Sequence, residues 1–574
     1  MNASATENKI MKGAQILLQS LIKEGVNEIF GYPGGVLLNI YEELYHCKEI
    51  KHYLVRHEQA AVHAAEAYSR TTGKCGVALV TSGPGATNTI TGIANAYMDG
   101  YPLIVLTGQV DATLIGNDAF QEADVVGITR SCCKHNYLVK DVKDLTRVIK
   151  EAFYIATTGK PGPVVIDLAK NILVAECEFN YPEKVNLQGY NPTYQGNVKQ
   201  ISNALKQLCD AKRPVIISGG GVIASNASKE MSEFAKVLNI PVANTLMGIG
   251  TFPEHDDLSL GMLGMHGNYW ANYAVMECDV LFAVGTRFND RITGSLKKFA
   301  KDAKIIHIDI DPCSISKNVP VTTPIVGDAK IILSTMLDEF KKESYEINLE
   351  QKQSWISQIN EWKKKRAIPE LQSDKLHAHV VLDTVNKFTE KYSPIVATEV
   401  GQHQMWTAQM FKFDEPRKLL TSGGLGTMGF GFPAAMGAAV AKPDELVLLV
   451  AGDGSIQMNI QELATCVEYN LPVKVLIMNN GYLGMVRQWQ QRMFNKHYSQ
   501  TKISGPDFVK VAEAYGAKGI RVEKEEDIIP AMQEAIDYNG PVFIDFVIEP
   551  FEMVYPWVLA GQSLNKVLLS NEES

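Results

Sequence analysis

The sequence contains no apolar run long enough to cross a bilayer, and its opening residues, Met1 to Lys9, hold no apolar stretch of the kind that directs export. Positive charge is not in excess either. Against 55 Lys and Arg stand 64 Asp and Glu, a formal net charge of −9, and a pI near 5.8 leaves no basic field for a nucleic acid or an anionic membrane. No C-x-x-C pair occurs among the nine cysteines. The only close set is Cys132 and Cys133, and adjacent cysteines rarely bridge, so reduced thiols and a cytoplasmic location are expected. The polar bias of a disordered chain is missing too: 46% of residues are hydrophobic and 21% charged, the balance of a globular protein.

What is present is one local pattern used again and again. Short β-branched runs, each followed by glycine or a polar turn and then by helical periodicity, mark parallel α/β layers. Glu28 to Phe30, Tyr53 to Val55, Val77 to Val80, Leu103 to Leu106 and Val164 to Ile166 form a first set. Val215 to Ile217, Val280 to Val284 and Ile305 to Ile308 form a second, and residues 395–398, 446–450, 473–478 and 542–546 a third. A chain of 574 residues is too long for one core. The expected fold is α/β, with three domains over residues 1–180, 195–340 and 375–574, each a mainly parallel sheet flanked by helices. Residues 176–196, rich in Asn, Tyr, Pro and Gly, and residues 341–375, dense in Lys, Glu, Gln and Ser, read as connecting segments, the second partly helical. The first and third sets close alike, Gly162-Pro163-Val164-Val165-Ile166-Asp167 against Gly540-Pro541-Val542-Phe543-Ile544-Asp545, which suggests two related domains flanking a different one.

The densest chemistry lies in the third set. A strand at Leu446 to Ala451 runs into Gly452-Asp453-Gly454-Ser455; a helix with Ile460, Leu463, Ala464 and Val467 on one face is expected next, then a strand ending in Asn479-Asn480. In such a crossover the two strands are parallel, so Asp453 and Asn480 emerge at one carboxyl edge, where open α/β sheets bind ligands. A carboxylate and an amide oxygen suit Mg²⁺ that keeps phosphate oxygens as its other ligands, and the glycines with Ser455 at a helix start suit the phosphates.

Gly-Asp-Gly, 24 intervening residues and then Asn-Asn after a strand resembles the thiamine-diphosphate-dependent enzymes. The resemblance implies a thiamine-diphosphate-binding fold in which Asp453, Asn480 and the carbonyl of Tyr482 hold Mg²⁺, with Gly401, Gln402, His403, Gly454 and Ser455 around the diphosphate. It also implies that Glu58, in Arg56-His57-Glu58-Gln59 ahead of an alanine-rich helix, moves the proton that activates the cofactor. That work calls for a carboxylate buried in apolar surroundings. Opposite Glu58, Gly423-Gly424-Leu425-Gly426-Thr427-Met428-Gly429 resembles the loop that bends the cofactor, through Met428 and the carbonyl of Gly426.

Motifs along nearly the whole chain narrow the resemblance to the catalytic subunits of the acetohydroxyacid synthase (acetolactate synthase) family. Among them are Gly31-Tyr32-Pro33-Gly34-Gly35, Asp118-Ala119-Phe120-Gln121-Glu122, Gly264-Met265-His266-Gly267, Arg287-Phe288-Asn289-Asp290-Arg291 and Leu483-Gly484-Met485-Val486-Arg487-Gln488-Trp489. The implied activity is decarboxylation of pyruvate and transfer of the hydroxyethyl group to a second 2-oxo acid, pyruvate or 2-oxobutyrate, at the head of branched-chain amino-acid synthesis. Arg291 is then the clamp on the acceptor carboxylate, Trp489 the wall that grades acceptor size, and Phe120, Gln121 and Lys170 line the same pocket. The middle domain resembles the family's FAD-binding domain. Lys160, Gly219, Gly220, Gly221, Thr245, Leu246, Met265, His266, Arg287, Asp309 and Asp328 stand at matching places, Lys160 where an arginine is usual and Asn289 where an aspartate is. Implied partners are small 2-oxo acids, a second or further copies in a homodimer or homotetramer in which each site joins the first domain of one chain to the third of another, and a regulatory small subunit, with no nucleic acid and no membrane. The nearest other readings are a flavin-using pyruvate oxidase and glyoxylate carboligase, which share the Gly-Asp-Gly element.

Overall fold

The computed structural model describes residues 9–343, 345–364 and 373–570. Residues 1–8, on which most of the reading of Met1 to Lys9 rests, and residues 365–372, within the second connecting segment, lie outside them. Three six-stranded sheets, parallel at every pairing, organise the chain.

In spatial order the first sheet is Lys51–Leu54, Glu28–Tyr32, Gly76–Val80, Leu103–Gln109, Pro163–Ala169 and His135–Val139. The middle sheet is Ser259–Met262, Val242–Asn244, Pro214–Ser218, Val280–Val284, Lys304–Asp309 and Thr323–Val326. The third is Leu419–Leu420, Ile395–Thr398, Val447–Gly452, Lys474–Asn479, Val542–Val547 and Lys518–Val522. The inner strands are buried and mainly apolar because helices cover both faces of a parallel sheet.

Numbered from one to six in chain order, the strands of the first and third sheets share the order 2-1-3-4-6-5, whereas the middle sheet runs 3-2-1-4-5-6. The Gly-Pro echo falls on the sixth strand of each outer sheet, Pro163–Ala169 and Val542–Val547, so the short sequence match marks a topological equivalence. The main reversal of order lies between strands 1 and 3 in the outer sheets and between strands 1 and 4 in the middle one. A reversal of this kind opens a crevice at the carboxyl edge.

The outer units pack through the helices Glu58–Thr72 and Gly431–Ala441. Both are rich in small residues, and a Cβ at Gly437 would fall 2.1 Å from the carbonyl oxygen of Ala64. Ala60, Ala61, Ala64, Phe430, Phe432 and Ala435 join strands of both sheets in one buried apolar cluster, the kind of burial that drives folding at about 25 cal/mol per Å².

Two expectations need correction. Part of the segment read as a connection is strand: Glu176–Glu178 pairs antiparallel with Ile10–Lys12 and closes the first unit. The helix expected over 460–467 is also shorter, because Ile456–Met458 and Ile460–Glu462 are 3₁₀ turns and only Leu463–Glu468 is α-helical. Asn459, at φ −136° and ψ 30°, breaks the helical ladder there while its amide donates to Gly429 O at 2.6 Å. All nine cysteines are free thiols, and no helix among the described residues is long and apolar enough to cross a membrane.

Candidate functional site

In the third sheet the crevice lies between strand 1, Ile395–Thr398, and strand 3, Val447–Gly452, and is bounded by Val400 to His403 and by Asp453 to Ser455. Asp453 is 2% exposed and its Oδ2 is buried without a hydrogen-bond partner; burial pushes the carboxyl up to about 7. The His403 ring lies against Gly452, where a Cβ would sit 2.9 Å from Nδ1. Its Nε2 is also buried without a partner, and burial holds the ring neutral, down to about 3. Buried polar atoms are rarely left unpaired, and a bound cation with its anionic ligand would satisfy both.

The surrounding residues shape this crevice. Ser455 closes the turn on Gly452, accepting its N–H at 3.2 Å. Lys474–Asn479 pairs with Val447–Gly452, so Asn480 follows Asp453 at the same edge. Its Oδ1 accepts the N–H of Tyr482 at 3.0 Å, and Gly481, at φ +69°, turns the chain toward that tyrosine. Gln402 is turned inward, giving its amide hydrogens to Gln488 Oε1 at 2.8 Å and Glu552 O at 3.0 Å while accepting from Asn480 at 3.4 Å. Gln402 thereby orients Asn480 at the crevice edge. A Cβ at Gly454 would meet Leu483 at 2.8 Å, so this glycine admits the apolar floor.

A cavity of about 530 Å³ opens where the middle unit's crevice meets the first and third units. Lys160, Gly220, Gly221, Thr245, Leu246, Met265, His266, Arg287, Arg291, Asp309 and Asp328 line one side, and Gly401, Gly426, Met428 and Trp489 the other. Arg291 is exposed to the cavity, with Nη1 2.9 Å from Met265 Sδ. Trp489, on the helix Gly484–Met493, meets Trp557 edge to face at 5.0 Å and 88°. His266 lies over Trp557 at 6.1 Å, and its Nε2 is buried without a partner; burial holds it neutral, down to about 4. Asp309 accepts the N–H of Asp311 at 2.9 Å, and Asp328 caps the helix Ala329–Lys342 through the N–H of Ile331 at 3.0 Å. Lys160 lies 3.6 Å from Asp311. Asn289 accepts the N–H of Ile292 at 3.3 Å, the helix cap an aspartate would also make.

The glycine triplet divides. Gly220 and Gly221 line the cavity, whereas Gly219 packs behind the wall, where a Cβ would fall 2.2 Å from Gly285 O. A Cβ at Gly221 would fall 2.6 Å from Gly285 Cα, so the triplet lets the two turns at the order reversal touch.

The remaining residues stand apart within one chain. Glu58 opens its helix next to Gly85, with the amide of Asn88 donating to Oε2 at 2.9 Å, but it is only partly buried and does not line the cavity. This differs from the enclosed carboxylate expected, because Glu58 lies on the rim of the first sheet's carboxyl edge. Phe120 is 88% exposed, Gln121 and Lys170 are exposed, and none of them joins Arg291 and Trp489 in the cavity of the same chain. The loop Gly423 to Gly429 faces the cavity, not Glu58 of its own chain.

Sequence reasoning missed Asp99, Asn95, Arg70 and Glu399, which hold that loop. Arg70 and Glu66 were visible as charges inside an alanine-rich helix. It also passed over Gly219-x-Gly221-x-x-Ala224 after the strand Pro214–Ser218, a dinucleotide-type pattern that points to the middle crevice.

Three crevices on three parallel sheets, one holding an unpaired carboxylate between glycines, define a cofactor-dependent α/β enzyme. Family profiles agree in three places: "Thiamine pyrophosphate enzyme, N-terminal TPP binding domain" over residues 11–128, "central domain" over 201–336 and "C-terminal TPP binding domain" over 399–546. The chain is 48% identical over 572 residues to the acetolactate synthase isozyme 3 large subunit of Escherichia coli, covering 98% of this chain and 100% of that protein. It is 48% identical over 569 residues to the probable acetolactate synthase large subunit of Methanocaldococcus jannaschii (97% and 95% covered). With the acetolactate synthase large subunit of Cyanidium caldarium it shares 45% over 576 residues (98% and 97% covered). The chain belongs to the acetolactate synthase large-subunit family of thiamine pyrophosphate enzymes, and thiamine diphosphate is the cofactor for which its outer domains are built.

Proposed function

We propose that the chain catalyses the acetolactate synthase reaction: it decarboxylates pyruvate and transfers the hydroxyethyl group to a second 2-oxo acid, pyruvate or 2-oxobutyrate. The observation that carries the reading is the pair of unpartnered buried atoms, Asp453 Oδ2 and His403 Nε2, beside a cavity walled by Arg291 and Trp489. Asp453, Asn480 and the carbonyl of Tyr482 would hold Mg²⁺, and His403 a diphosphate oxygen. When bound, thiamine diphosphate supplies the carbon nucleophile and electron sink that decarboxylation of a 2-oxo acid needs. Arg291 binds the acceptor carboxylate with its planar fork, and Trp489 bounds the acceptor's alkyl end. Gly426 offers a carbonyl, and Met428 an apolar wedge, to the cofactor rings.

Glu58, Phe120, Gln121 and Lys170 lie outside the cavity of their own chain. A second copy that brings its first unit over the third unit of this one would complete the site, enclose Glu58 and cover Phe120, so the working protein is a homodimer or a homotetramer built from such dimers. Domains over 1–180, 195–340 and 375–574 fit this division of labour. FAD suits the middle crevice, where Gly220 and Gly221 supply backbone, Arg287 and Lys160 positive charge, and Asp309 and Asp328 acceptors. The large-subunit naming of the relatives supports a regulatory small subunit as a further partner.

The test is incubation with pyruvate, Mg²⁺ and thiamine diphosphate followed by assay for acetolactate. Peroxide or acetyl phosphate in its place would overturn the reading.

A further inference from the structure

The loop thought to shape the cofactor does not hold itself in place. At its tip a Cβ on Gly426 would meet nothing within 4 Å, and Leu425 is 44% exposed. Its far end is fixed within the third unit, where the buried carboxylate of Glu399 accepts the N–H groups of Gly429 at 2.6 Å and Phe432 at 3.0 Å. Its near end is fixed from the first unit. Asp99, the last residue of the helix Ile90–Asp99, accepts the N–H of Gly424 at 2.7 Å and of Gly423 at 3.3 Å. One turn earlier on the same helix, Asn95 Oδ1 accepts the hydroxyls of Ser422 at 2.5 Å and Thr427 at 3.0 Å. Ser422 Oγ in turn accepts the N–H of Thr427 at 2.9 Å.

The Asp99 carboxylate is fully buried and is paired with Arg70, whose Nη2 lies 2.6 Å away. Arg70 also binds Glu66 and donates to Thr421 O at 2.8 Å, just before the loop. Glycine at 424 is needed for this contact, because a Cβ there would fall 2.7 Å from Asp99 Oδ1. Hydrogen bonds to a charged acceptor in a buried setting are shorter and stronger than neutral ones, so Asp99 sets the loop's height more firmly than a neutral side chain could.

We propose that Asp99 is a positioning residue of the thiamine site: acting from the first unit, it fixes the Gly423 to Gly429 loop, and thereby Gly426 and Met428, against the bound cofactor. The inference rests on the role given to that loop above. Asp99 lines the cavity, but its carboxylate is enclosed by Arg70 and the loop, so its side chain acts on how well the loop is preset when thiamine diphosphate arrives. Presetting of this kind cuts the ordering cost of binding.

The experiment compares Asp99→Asn and Ser422→Ala with Tyr469→Phe, which removes a hydrogen bond between the first and third units, accepted from the N–H of Leu54, without touching the loop. Each protein is titrated with thiamine diphosphate and Mg²⁺ by calorimetry, and kcat and KM for pyruvate are measured at saturating cofactor. Asp99→Asn should weaken cofactor binding about tenfold or more and lower kcat, with KM for pyruvate moving less. Ser422→Ala should do the same more mildly, and Tyr469→Phe should lower the melting temperature while leaving cofactor affinity near wild type. If Asp99→Asn and Tyr469→Phe change cofactor affinity alike, or if Asp99→Asn does not change it at all, Asp99 is only scaffold. Should Asp99→Asn fail to fold, Ser422→Ala decides, and unaltered affinity there overturns the proposal. Calorimetric binding of the cofactor to the wild type does not depend on which product forms, so failure to find acetolactate would count against the proposed reaction and leave this inference standing.

Discussion

His379 Nδ1 lies 2.6 Å from Glu552 Oε1, while the second carboxylate oxygen accepts the N–H of Ala378 at 2.7 Å and faces His377 Nδ1 at 3.4 Å. Glu552 thus caps the helix Ala378–Thr389, and its own carbonyl receives Gln402 and Arg487 next to Asn480.

This arrangement gives stability a signed pH dependence. Burial alone would push Glu552 up, but the hydrogen bonds from His377 and His379 bring it down to about 2. A depressed carboxylate stabilises the fold above its unfolded value, near 4.5, and that contribution is lost as pH falls toward 2. The hydrogen bond to Glu552 raises His377 above its ordinary 6.5 despite partial burial. A raised histidine stabilises fully below 6.5 and loses its contribution as pH rises through the raised value. Thermal unfolding of wild type and His377→Gln across pH should show a difference that is largest on the acid side of neutrality and shrinks above it; a constant difference would rule the pairing out as its source.

Asp453→Asn should separate folding from cofactor binding. Removing a buried carboxylate that has an unpartnered oxygen relieves the apo protein, so its melting temperature at pH 8 should hold or rise. Mg²⁺ and thiamine diphosphate should then add nothing, whereas in the wild type a ligand at a hundred times its Kd adds about 2.7 kcal/mol. A preserved ligand-dependent rise would remove Asp453 from the metal site.

Glu58→Gln should bind thiamine diphosphate and turn over at least a hundredfold more slowly, since the amide fills the space and still accepts from Asn88 but cannot carry a proton. Near-normal kcat would sink the assignment. Mixing this variant with Asp453→Asn should restore up to a quarter of the wild-type activity if the two halves of a site come from different chains, and none if they come from one.

Trp489→Leu should still make acetolactate from pyruvate alone. Its preference for 2-oxobutyrate in competition should drop by roughly tenfold, the worth of contact with one methyl group. Loss of the edge-to-face contact with Trp557 should cost about 1 kcal/mol of stability, read in the urea midpoint. A folded variant with an unchanged product ratio would leave Trp489 as packing only.

Gly221→Ala should lower the flavin content of purified protein, because a Cβ 2.6 Å from Gly285 Cα must push apart the two turns that form the middle crevice. Reconstitution with FAD followed by fluorescence would read this, and full activity from flavin-free wild type would refute the need for FAD.

Much of the fold was legible because its inner strands are covered on both faces and so read as apolar runs: Gly76–Val80, Val280–Val284 and Val447–Gly452 announce themselves. The strands left unread lie at or next to sheet edges, where His135–Val139 and Lys518–Val522 carry polar residues, or are as short as Leu419–Leu420. Asp453 and Asn480 were legible because a crossover fixes their shared edge. Asp99 and Glu399 were not, because the partner of Asp99 is Gly424, 325 residues away, and nothing local in either segment encodes the contact. The division of the site was legible only through the resemblance, which implies that each site joins the first domain of one chain to the third of another; nothing local to Glu58 or Trp489 encodes it, and within one chain Trp489 lines the cavity while Glu58 does not.

The close approach of Gly437 to Ala64 has a mechanical consequence. Where Gly437 meets the backbone of Ala64 there is no flexible side chain to give way, so the two helices cannot slide past each other at that point without separating. The helix Gly484–Met493, whose Met485, Val486 and Trp489 line the cavity, lies away from that joint and is free of its constraint.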